Sequence, residues 1–457
     1  MVRFDPADLA SWCGGTWQGQ PPVSLAGVSH DTRTLEAGAL YVALRGEQFD
    51  GNDFVSNAIT QQAGAALVNQ DAVAQLGVDL PLLVAADTRR ALMDLAAGHR
   101  QRCTGEFIGI TGSVGKTSVK EMAADVLAHA GAVTRTWSNW NNNIGLPLSL
   151  LRMNPQDAFG VFEVGMNHPG ELAPLCALLQ AQRAIITPIG PVHLEYFESV
   201  AAIAEEKATL LAALPEEGQA IVSIDDPWYE VLRDRAKSRI VRVSVLSQDA
   251  DYYAVWDRGG TSELCVCERH TGECFDYRLP LPGRYVADNA IRVIALAREM
   301  GLAPDVIAQA LKGYQPPAMR WQRQDRNGVA YINDAYNANP MSMRAAIDAV
   351  QEMAVEGRRW LVLAGMFELG AQEREEHEEL GQYIAQFPWA GVLVVGRYGE
   401  MIAQGVRAAQ TEEQASLLVC NDHREAALHM KERVRPGDVV LIKASRGERL
   451  ERVLDEV

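Results

Sequence analysis

The segment Phe107–Met122, FIGITGSVGKTSVKEM, decides the fold of the chain. A short apolar run, Phe107–Ile110, leads through a glycine-rich loop into a stretch whose apolar residues recur at helical spacing. A strand, a glycine-rich loop and a helix in that order form an anion site, because the loop amides and the positive helix end attract phosphate. The pattern predicts that Lys116 faces the outer phosphates and that Thr117 or Ser118 holds a magnesium ion.

The loop departs from the strict phosphate-loop pattern at one position. That pattern has a glycine five residues before Gly115, where this chain has Ile110. A tight strand-to-helix turn with a surface lysine is the alternative interpretation. The flanking strand and helix favour the phosphate loop, whose cradle residues are Gly112, Ser113, Val114, Gly115, Lys116, Thr117 and Ser118.

Length and charge limit the classes of protein that fit. The 457 residues exceed what one core supports and suggest about three domains. A net charge of -17 disfavours nucleic acid and anionic membranes as partners, because both are polyanions. The first residues lack the apolar core of a signal peptide and no apolar window is long enough to span a membrane, so we expect a cytoplasmic protein. Seven scattered cysteines are typical of free thiols in a reducing compartment.

Four potential metal ligands lie close together in ELCVCERHTGECFDYRL: Cys265, Cys267, His270 and Cys274. The alternating pattern predicts a β-hairpin that places Cys265 and Cys267 on one face. Zinc sites usually contain paired C-x-x-C spacings, which this stretch lacks. The pattern therefore favours a packed hairpin over a metal site.

The chain divides into three predicted α/β domains. Residues 1–100 alternate short apolar runs with helical patterns, and residues 101–313 repeat this alternation after the phosphate loop, which predicts a mostly parallel sheet covered by helices. A linker at 313–317 precedes a third α/β domain, 314–457, that resembles a Rossmann fold. In its acidic run 373–379, His377 is expected on a solvated helix face.

Polar residues cluster after strands of the first domain, in SHDTR and LRG. Arginines and short polar side chains at strand ends suit a nucleoside diphosphate, with Arg33 or Arg45 facing phosphate. Solvated turns are the alternative interpretation. The candidate residues are Ser29, Asp31, Thr32, Arg33, Arg45 and Gly46.

In the central domain, Glu163 is a carboxylate within an otherwise apolar strand. Such a group needs a cation, either magnesium beside a triphosphate or a lysine. By pattern alone, His193 is more typical of a surface or packing residue and Lys207 of an exposed helix lysine. The asparagine-rich run 138–151 is either a plain loop or a donor of amides to an acyl phosphate.

In the third domain, Asp334–Pro340 (DAYNANP) lies at a strand-to-helix transition, and Lys443–Arg446 follows another strand. Each segment could simply cap a helix. Together they indicate a second ligand-facing edge, because ligands collect at the carboxyl ends of parallel strands.

Several motifs in order resemble the Mur ligases, ATP-dependent amide-forming enzymes of peptidoglycan precursor synthesis, over essentially the whole chain. The matching segments are SHDTR, TGSVGKTS, NWNNNIGLP, EVGMN, HLEYF, EEKATL, PGRYVADNA, DAYNANP and IKASR. DAYNANPMSM and AGMFELG are most similar to the branch that adds D-alanyl-D-alanine to UDP-N-acetylmuramoyl-tripeptide through an acyl phosphate. The Asp-Asn-Pro-Arg motif of the branch that adds a diamino acid is missing from the sequence.

The resemblance implies a role for each matching residue. Lys116 and the loop would bind ATP, Thr117 magnesium, and Glu163 and His193 the metal, while Lys207 would be carbamylated and hold a second magnesium ion. The nucleotide set further includes Asn289, Arg320 and Asp334. The substrate set includes the six first-domain residues together with Asn142 and Asn337. Domain 1–100 would bind the UDP-sugar, 101–313 would bind ATP, and 314–457 would close over the ATP and bind the dipeptide.

Some positions depart from the family pattern: Pro188, Tyr285, Val286, Met366 and Ala444. These changes affect the expected adenine contacts and third-domain roles, while the phosphate and metal set is intact. A folylpolyglutamate-type ligase is a related alternative, disfavoured by the separate first domain with SHDTR. A nucleotide-operated switch without acyl transfer is an alternative of another class. We expect a monomer, since one chain supplies a complete site.

Overall fold

The computed structural model of the chain describes residues 2–77, 79–255, 262–279, 281, 283–409 and 416–457. Pro282, which opens the PGRYVADNA segment, lies outside the described residues. The chain is a mixed α/β protein built on three main, mostly parallel sheets, which confirms the predicted fold class. Among the described residues, we find no helix with the length and apolar character needed to cross a membrane.

The N-terminal unit is a small α/β layer. Its elements are β1 (Arg3–Phe4), α1 (Pro6–Cys13), β2 (Thr16–Gln18), β3 (Leu25–Ala26), β4 (Val28–Ser29), β5 (Leu40–Val42), α2 (Val55–Thr60), β6 (Ala65–Asn69), α3 (Val73–Leu76), β7 (Leu82–Ala85) and α4 (Thr88–Arg100). The main sheet has the order β2-β7-β6-β5-β4, and β4 to β7 are parallel. Because β4 and β5 are parallel neighbours, the SHDTR and LRG segments emerge at the same sheet edge.

The central unit contains the longest sheet. Its elements are β8 (Glu106–Thr111), α5 (Lys116–Leu127), β9 (Val133–Arg135), α6 (Gly145–Leu150), β10 (Phe159–Glu163), α7 (Leu172–Leu179), β11 (Arg183–Ile186), α8 (Val200–Ala212), β12 (Gln219–Ser223), α9 (Tyr229–Arg235), β13 (Arg239–Ser244), β14 (Tyr252–Val255), β15 (Glu263–Glu268), β16 (Cys274–Arg278), α10 (Arg284–Glu299) and α11 (Pro304–Gly313). The order is β16-β15-β14-β13-β12-β11-β8-β10-β9. Strand β8 lies between β10 and β11 and is parallel to both. The loops that follow these three strands therefore meet at one edge, which is where ligands bind in open α/β sheets.

Helix α5 packs as the periodicity predicts. Its apolar face is buried in the central core: Val119, Met122, Ala123, Val126 and Leu127. This packing fixes the helix start, and with it Lys116, directly after the glycine-rich loop.

The C-terminal unit forms a third layer. Its elements are β17 (Gln322–Arg326), β18 (Val329–Asn333), α12 (Pro340–Glu352), β19 (Arg359–Leu363), α13 (Glu373–Ile384), β20 (Gly391–Val395), α14 (Gly396–Ala409), β21 (Ser416–Cys420), α15 (His423–Arg433) and β22 (Val439–Lys443). The sheet order is β17-β18-β22-β19-β20-β21, parallel except at β17. Asn339 caps α12 by accepting the N–H of Ser342 at 2.8 Å, and Pro340 occupies the first helical position as expected.

The predicted cysteine hairpin is confirmed, since β15 and β16 pair antiparallel. Cys267 and Cys274 are directly opposite each other and form a disulfide, so the prediction of free thiols is wrong for this pair. The physical reason is cross-strand pairing, which brings their Cα atoms to 4.0 Å. The bond uses two of the three sulfurs in the cluster, which agrees with the preference for a hairpin over a metal site.

Candidate active site

Two glycines shape the loop between β8 and α5. Gly112 has φ +147°, and a Cβ there would lie 2.0 Å from Oγ1 of Thr187. Gly115 has φ +89°, and its Cβ would lie 2.5 Å from Oδ1 of Asn289. A side chain at either position would be both strained and in collision. Asn289, on α10, therefore lies against the phosphate-loop backbone.

Two lysines converge on the carbonyl oxygen of Gly112. The Nζ atoms of Lys116 and Lys207 donate to it at 2.7 and 2.8 Å. Lys207 is 2% exposed, so the expectation of an exposed helix lysine is wrong. Burial, followed by the nearby charge of Lys116, holds the pKa of Lys207 well below its usual value. Burial also lowers the pKa of Lys116 to about 8, against the opposing effect of Glu163.

Glu163 ends β10 and is 1% exposed. Its Oε2 accepts a hydrogen bond from Nδ2 of Asn141 at 3.1 Å. Among the described residues, its Oε1 has no hydrogen-bond partner, and it lies 3.7 Å from Nζ of Lys120. Lys120 is completely buried and donates to the carbonyls of Thr136 and Ser138 at 3.0 and 3.1 Å. Lys120 is thus near Glu163 but too far away for a hydrogen bond, and Oε1 of Glu163 can accept a cation.

His193 lies in the loop after β11 and connects the central and C-terminal units. Its Nδ1 is 2.5 Å from Oε2 of Glu368, which follows β19. The hydrogen bond with His193 is the main cause of a lowered pKa for Glu368, so this carboxyl is ionised at neutral pH.

The C-terminal unit presents its own polar edge. Lys443 Nζ lies 2.5 Å from Oδ2 of Asp334 and donates to the carbonyl of Asn337 at 3.2 Å. This clamp fixes the DAYNANP loop at the end of β18. The guanidinium of Arg320 lies 4.1 Å above the ring of Tyr336. Arg320 lines the same cleft as the phosphate loop, and its charge contributes to the lowered pKa of Lys116.

A cleft of about 1380 Å³ lies between these two edges. It brings together most of the predicted nucleotide and metal residues and one predicted substrate residue, Asn337: Ser113, Val114, Gly115, Lys116, Thr117, Ser118, Glu163, His193, Asn289, Arg320, Asp334 and Asn337. The other predicted residues do not line it: Gly112, Lys207, Asn142 and the six first-domain residues. Gly112 and Lys207 are joined to Lys116 through the Gly112 carbonyl, which accepts hydrogen bonds from both lysines.

The first-domain arginines are paired with carboxylates at the surface. Arg33 binds Asp31 at 2.6 Å, and this contact lowers the pKa of Asp31 to about 2. Arg45 binds Asp50 and Asp71, each at 2.8 Å. Exposed pairs of this kind are weak, so either arginine can change partners at little cost.

The SHDTR candidates flank a histidine that contacts the central unit. Ser29 Oγ accepts the N–H of Asp31 at 3.2 Å, and Gly46 donates its N–H to the carbonyl of Phe49 at 2.9 Å. Thr32 is half-buried. The ring of His30 meets that of Trp140 at 5.3 Å, which joins SHDTR to the asparagine-rich loop.

Sequence reasoning missed three residues that organise the site. The amide on Glu163 belongs to Asn141, whereas Asn142 accepts the N–H groups of Ile144 and Gly145 at the start of α6. The sequence offers one signal for Lys120, which is its position beside the apolar residues that α5 buries. The sequence gives no signal for Glu368 beyond its place in AGMFELG, because its partner His193 is 175 residues away.

Family models match three consecutive segments: the Mur ligase family catalytic domain at 24–100, the Mur ligase middle domain at 110–297, and the Mur ligase glutamate ligase domain at 319–446. The UDP-N-acetylmuramoyl-tripeptide–D-alanyl-D-alanine ligase of Escherichia coli K12 is 34% identical over 99% of this chain and 98% of that protein. The chain belongs to the Mur ligase family. The Bacillus subtilis ligase of the same name is 33% identical over 94% of the chain and 93% of its own length.

Solved structures agree with this family. A crystal structure of MurF from Acinetobacter baumannii has a TM-score of 0.89 at 26% identity, covering 100% of this chain and 98% of that one. MurF from Thermotoga maritima in complex with ADP has a TM-score of 0.81 at 26% identity, covering 94% and 96%.

Proposed function

We propose that this chain is an ATP-dependent ligase that joins D-alanyl-D-alanine to UDP-N-acetylmuramoyl-tripeptide in peptidoglycan precursor synthesis. The observation that carries the proposal is the cleft between phosphate loop and C-terminal edge, in a chain that matches ligases of that name over its whole length. The reaction consumes ATP because a carboxylate does not react with an amine until it carries a leaving group.

The phosphates of ATP bind at the start of α5. The N–H groups of Ser113 and Val114 already donate to the carbonyl of Pro188, at 2.9 and 3.3 Å. Phosphate binding therefore falls to the amides that open α5, which have no acceptor within the helix. Lys116 donates to neutral loop carbonyls and can exchange them for a phosphate oxygen.

The residues near the loop fit a magnesium ion. Oε1 of Glu163 is buried and has no hydrogen-bond partner in the part of the chain that the structure describes, and hard cations prefer such carboxylate oxygens. Thr117 and His193 line the same cleft and would complete the ligand set with Glu163. A magnesium ion bound here would offset the negative charge that gathers on the transferring phosphoryl group.

Lys207 is suited to carbamylation. Its lowered pKa favours the neutral amine, whose lone pair can attack carbon dioxide. An N–C bond forms, a proton leaves, and a carbamate anion replaces the neutral amine. The anion would also offset the positive charge of Lys116, whose Nζ donates to the same Gly112 carbonyl. The carbamate would then help to hold a second magnesium ion.

Each of the three domains has its own role in binding the substrates. Domain 1–100 holds the UDP end through SHDTR and Arg45, and domain 101–313 holds ATP. Domain 314–457 closes the cleft, excludes water and positions the dipeptide through Asn337. The γ-phosphoryl group moves to the tripeptide carboxylate and ADP leaves. The dipeptide amine then attacks the acyl carbon, and phosphate leaves. We propose that the enzyme works as a cytoplasmic monomer.

Phosphate release by the purified chain tests the proposal. Release should require UDP-N-acetylmuramoyl-tripeptide, D-alanyl-D-alanine and ATP together, and Lys116→Ala should abolish it. Turnover with a folate and glutamate instead would establish the folylpolyglutamate alternative. Nucleotide binding without turnover on any acceptor would establish the switch.

A further inference from the structure

The junction between the central and C-terminal units contains a histidine and a carboxylate in unusual backbone conformations. His193 has φ +54° and Glu368 has φ +64°. Residues other than glycine rarely adopt such angles, and they persist where the surroundings hold them. A main-chain hydrogen bond runs beside the side-chain contact, from the N–H of Glu195 to the carbonyl of Glu368 at 3.4 Å.

The turn that carries Glu368 is anchored at the two preceding amides. Met366 donates its N–H to Nε2 of His377 at 2.9 Å, and Phe367 donates its N–H to Oγ of Ser445 at 3.0 Å. His377 is completely buried, so the expectation of a solvated histidine is wrong. Its Nδ1 donates to the carbonyl of Glu373 at 2.6 Å, which leaves Nε2 as the acceptor. Glu368 is therefore presented by a rigid turn.

The contact decides which nitrogen of His193 can bind a cation. A carboxylate oxygen accepts hydrogen bonds, so the contact with Oε2 of Glu368 favours the neutral tautomer of His193 that carries its proton on Nδ1. In that tautomer the lone pair lies on Nε2. Histidines that bind metals commonly have their other ring nitrogen fixed by a carboxylate in this way.

We propose that Glu368 is a positioning residue that reserves Nε2 of His193 for the magnesium ion when the C-terminal unit closes over the central unit. The inference rests on the proposed function and adds that cation binding is coupled to closure of the C-terminal unit. The cation site is complete only when both units meet, so phosphoryl transfer is slow in an open enzyme. Futile ATP hydrolysis before closure is thereby suppressed.

Cation affinity, measured without turnover, tests the proposal. Mn²⁺ binding is followed by electron paramagnetic resonance with a non-hydrolysable ATP analogue present. Glu368→Ala should weaken Mn²⁺ binding by about 10–100-fold, as expected for loss of a carboxylate behind a metal-binding histidine. Glu368→Gln should retain part of the affinity, because its amide oxygen still accepts from Nδ1. Glu432→Ala is the matched control, a carboxylate 3.9 Å from His429 on α15, and should bind Mn²⁺ normally.

The double variant His193→Asn with Glu368→Ala should be no weaker than His193→Asn alone, because Glu368 acts through His193. Excess Mg²⁺ should restore the rate of Glu368→Ala, which a general folding defect would not allow. Unchanged Mn²⁺ affinity in Glu368→Ala, while His193→Asn loses it, would overturn the inference. That result leaves the ligase proposal standing, whereas failure of the wild-type chain to release phosphate would remove the ligase proposal itself.

Discussion

The substitution Lys120→Met removes the buried cation beside Glu163. Lys120 and Glu163 are 0% and 1% exposed, so Glu163 would remain as a buried carboxylate without its lysine. Breaking a buried pair in this way typically costs about 3–5 kcal/mol. The 3.7 Å separation of Lys120 and Glu163 places the loss of unfolding free energy near the lower end of this range. Glu121, which Lys120 also contacts at 2.6 Å, is partly exposed, so water can solvate its carboxylate in the variant. We expect a loss of about 3 kcal/mol, or a fall of about 6–12 °C in melting temperature for a unit of this size.

Differential scanning calorimetry with and without Mg²⁺ and ADP measures this effect. Because Glu163 then lacks its cation, the ligands should recover more stability in Lys120→Met than in the wild type. Lys312→Met is the matched control, since Lys312 is exposed on α11. If Lys120→Met melts within about 2 °C of this control, the buried pair does not stabilise the site as described.

Three further predictions concern the phosphate loop and the lysines that donate to it. Gly115→Ala should raise the KM for ATP roughly 5–30-fold, because a residue other than glycine at positive φ costs about 1–2 kcal/mol. Adding Asn289→Ala to this variant should relieve only the steric collision with Asn289 and leave the backbone strain. An unchanged KM in Gly115→Ala would contradict the loop geometry. Lys207→Ala should lose activity and regain some with a short carboxylic acid, and wild-type activity in the variant would exclude the carbamate. Since the pKa of Lys116 is about 8 in the folded chain against about 10.4 unfolded, the unfolded chain binds more protons between these values. Stability should therefore rise from about pH 8 to pH 10 relative to Lys116→Met, and parallel profiles would refute the shift.

Local patterns predicted the parts of the site that lie within one strand–loop–helix unit. The run FIGITGSVGKTSVKEM encodes a strand, two glycines with positive φ and an apolar helix face, so Lys116 and Thr117 could be placed before any tertiary contact was known. Glu163 was also identified, because a carboxylate in an apolar strand is costly without a partner.

Long-range contacts were beyond the same reasoning. Lys207 looks like a solvated helix lysine beside Glu205 and Glu206, and only its burial under the phosphate loop distinguishes it. His377 looks equally exposed within its acidic run, yet packing of α13 buries it. Local charge does not determine burial, which depends on the elements that cover each helix.

The sequence by itself determined the strand–loop–helix core, the mixed α/β class and, through several motifs in order, the resemblance to the Mur ligases. Only the tertiary structure decided which side chains meet: Lys116 with Lys207, Glu163 with Asn141 and Lys120, and His193 with Glu368. The physical reason is that backbone preferences and periodicity act over a few residues, whereas these contacts join strand ends and units up to 175 positions apart. Their partners are selected by sheet order and by the contact of one unit with another.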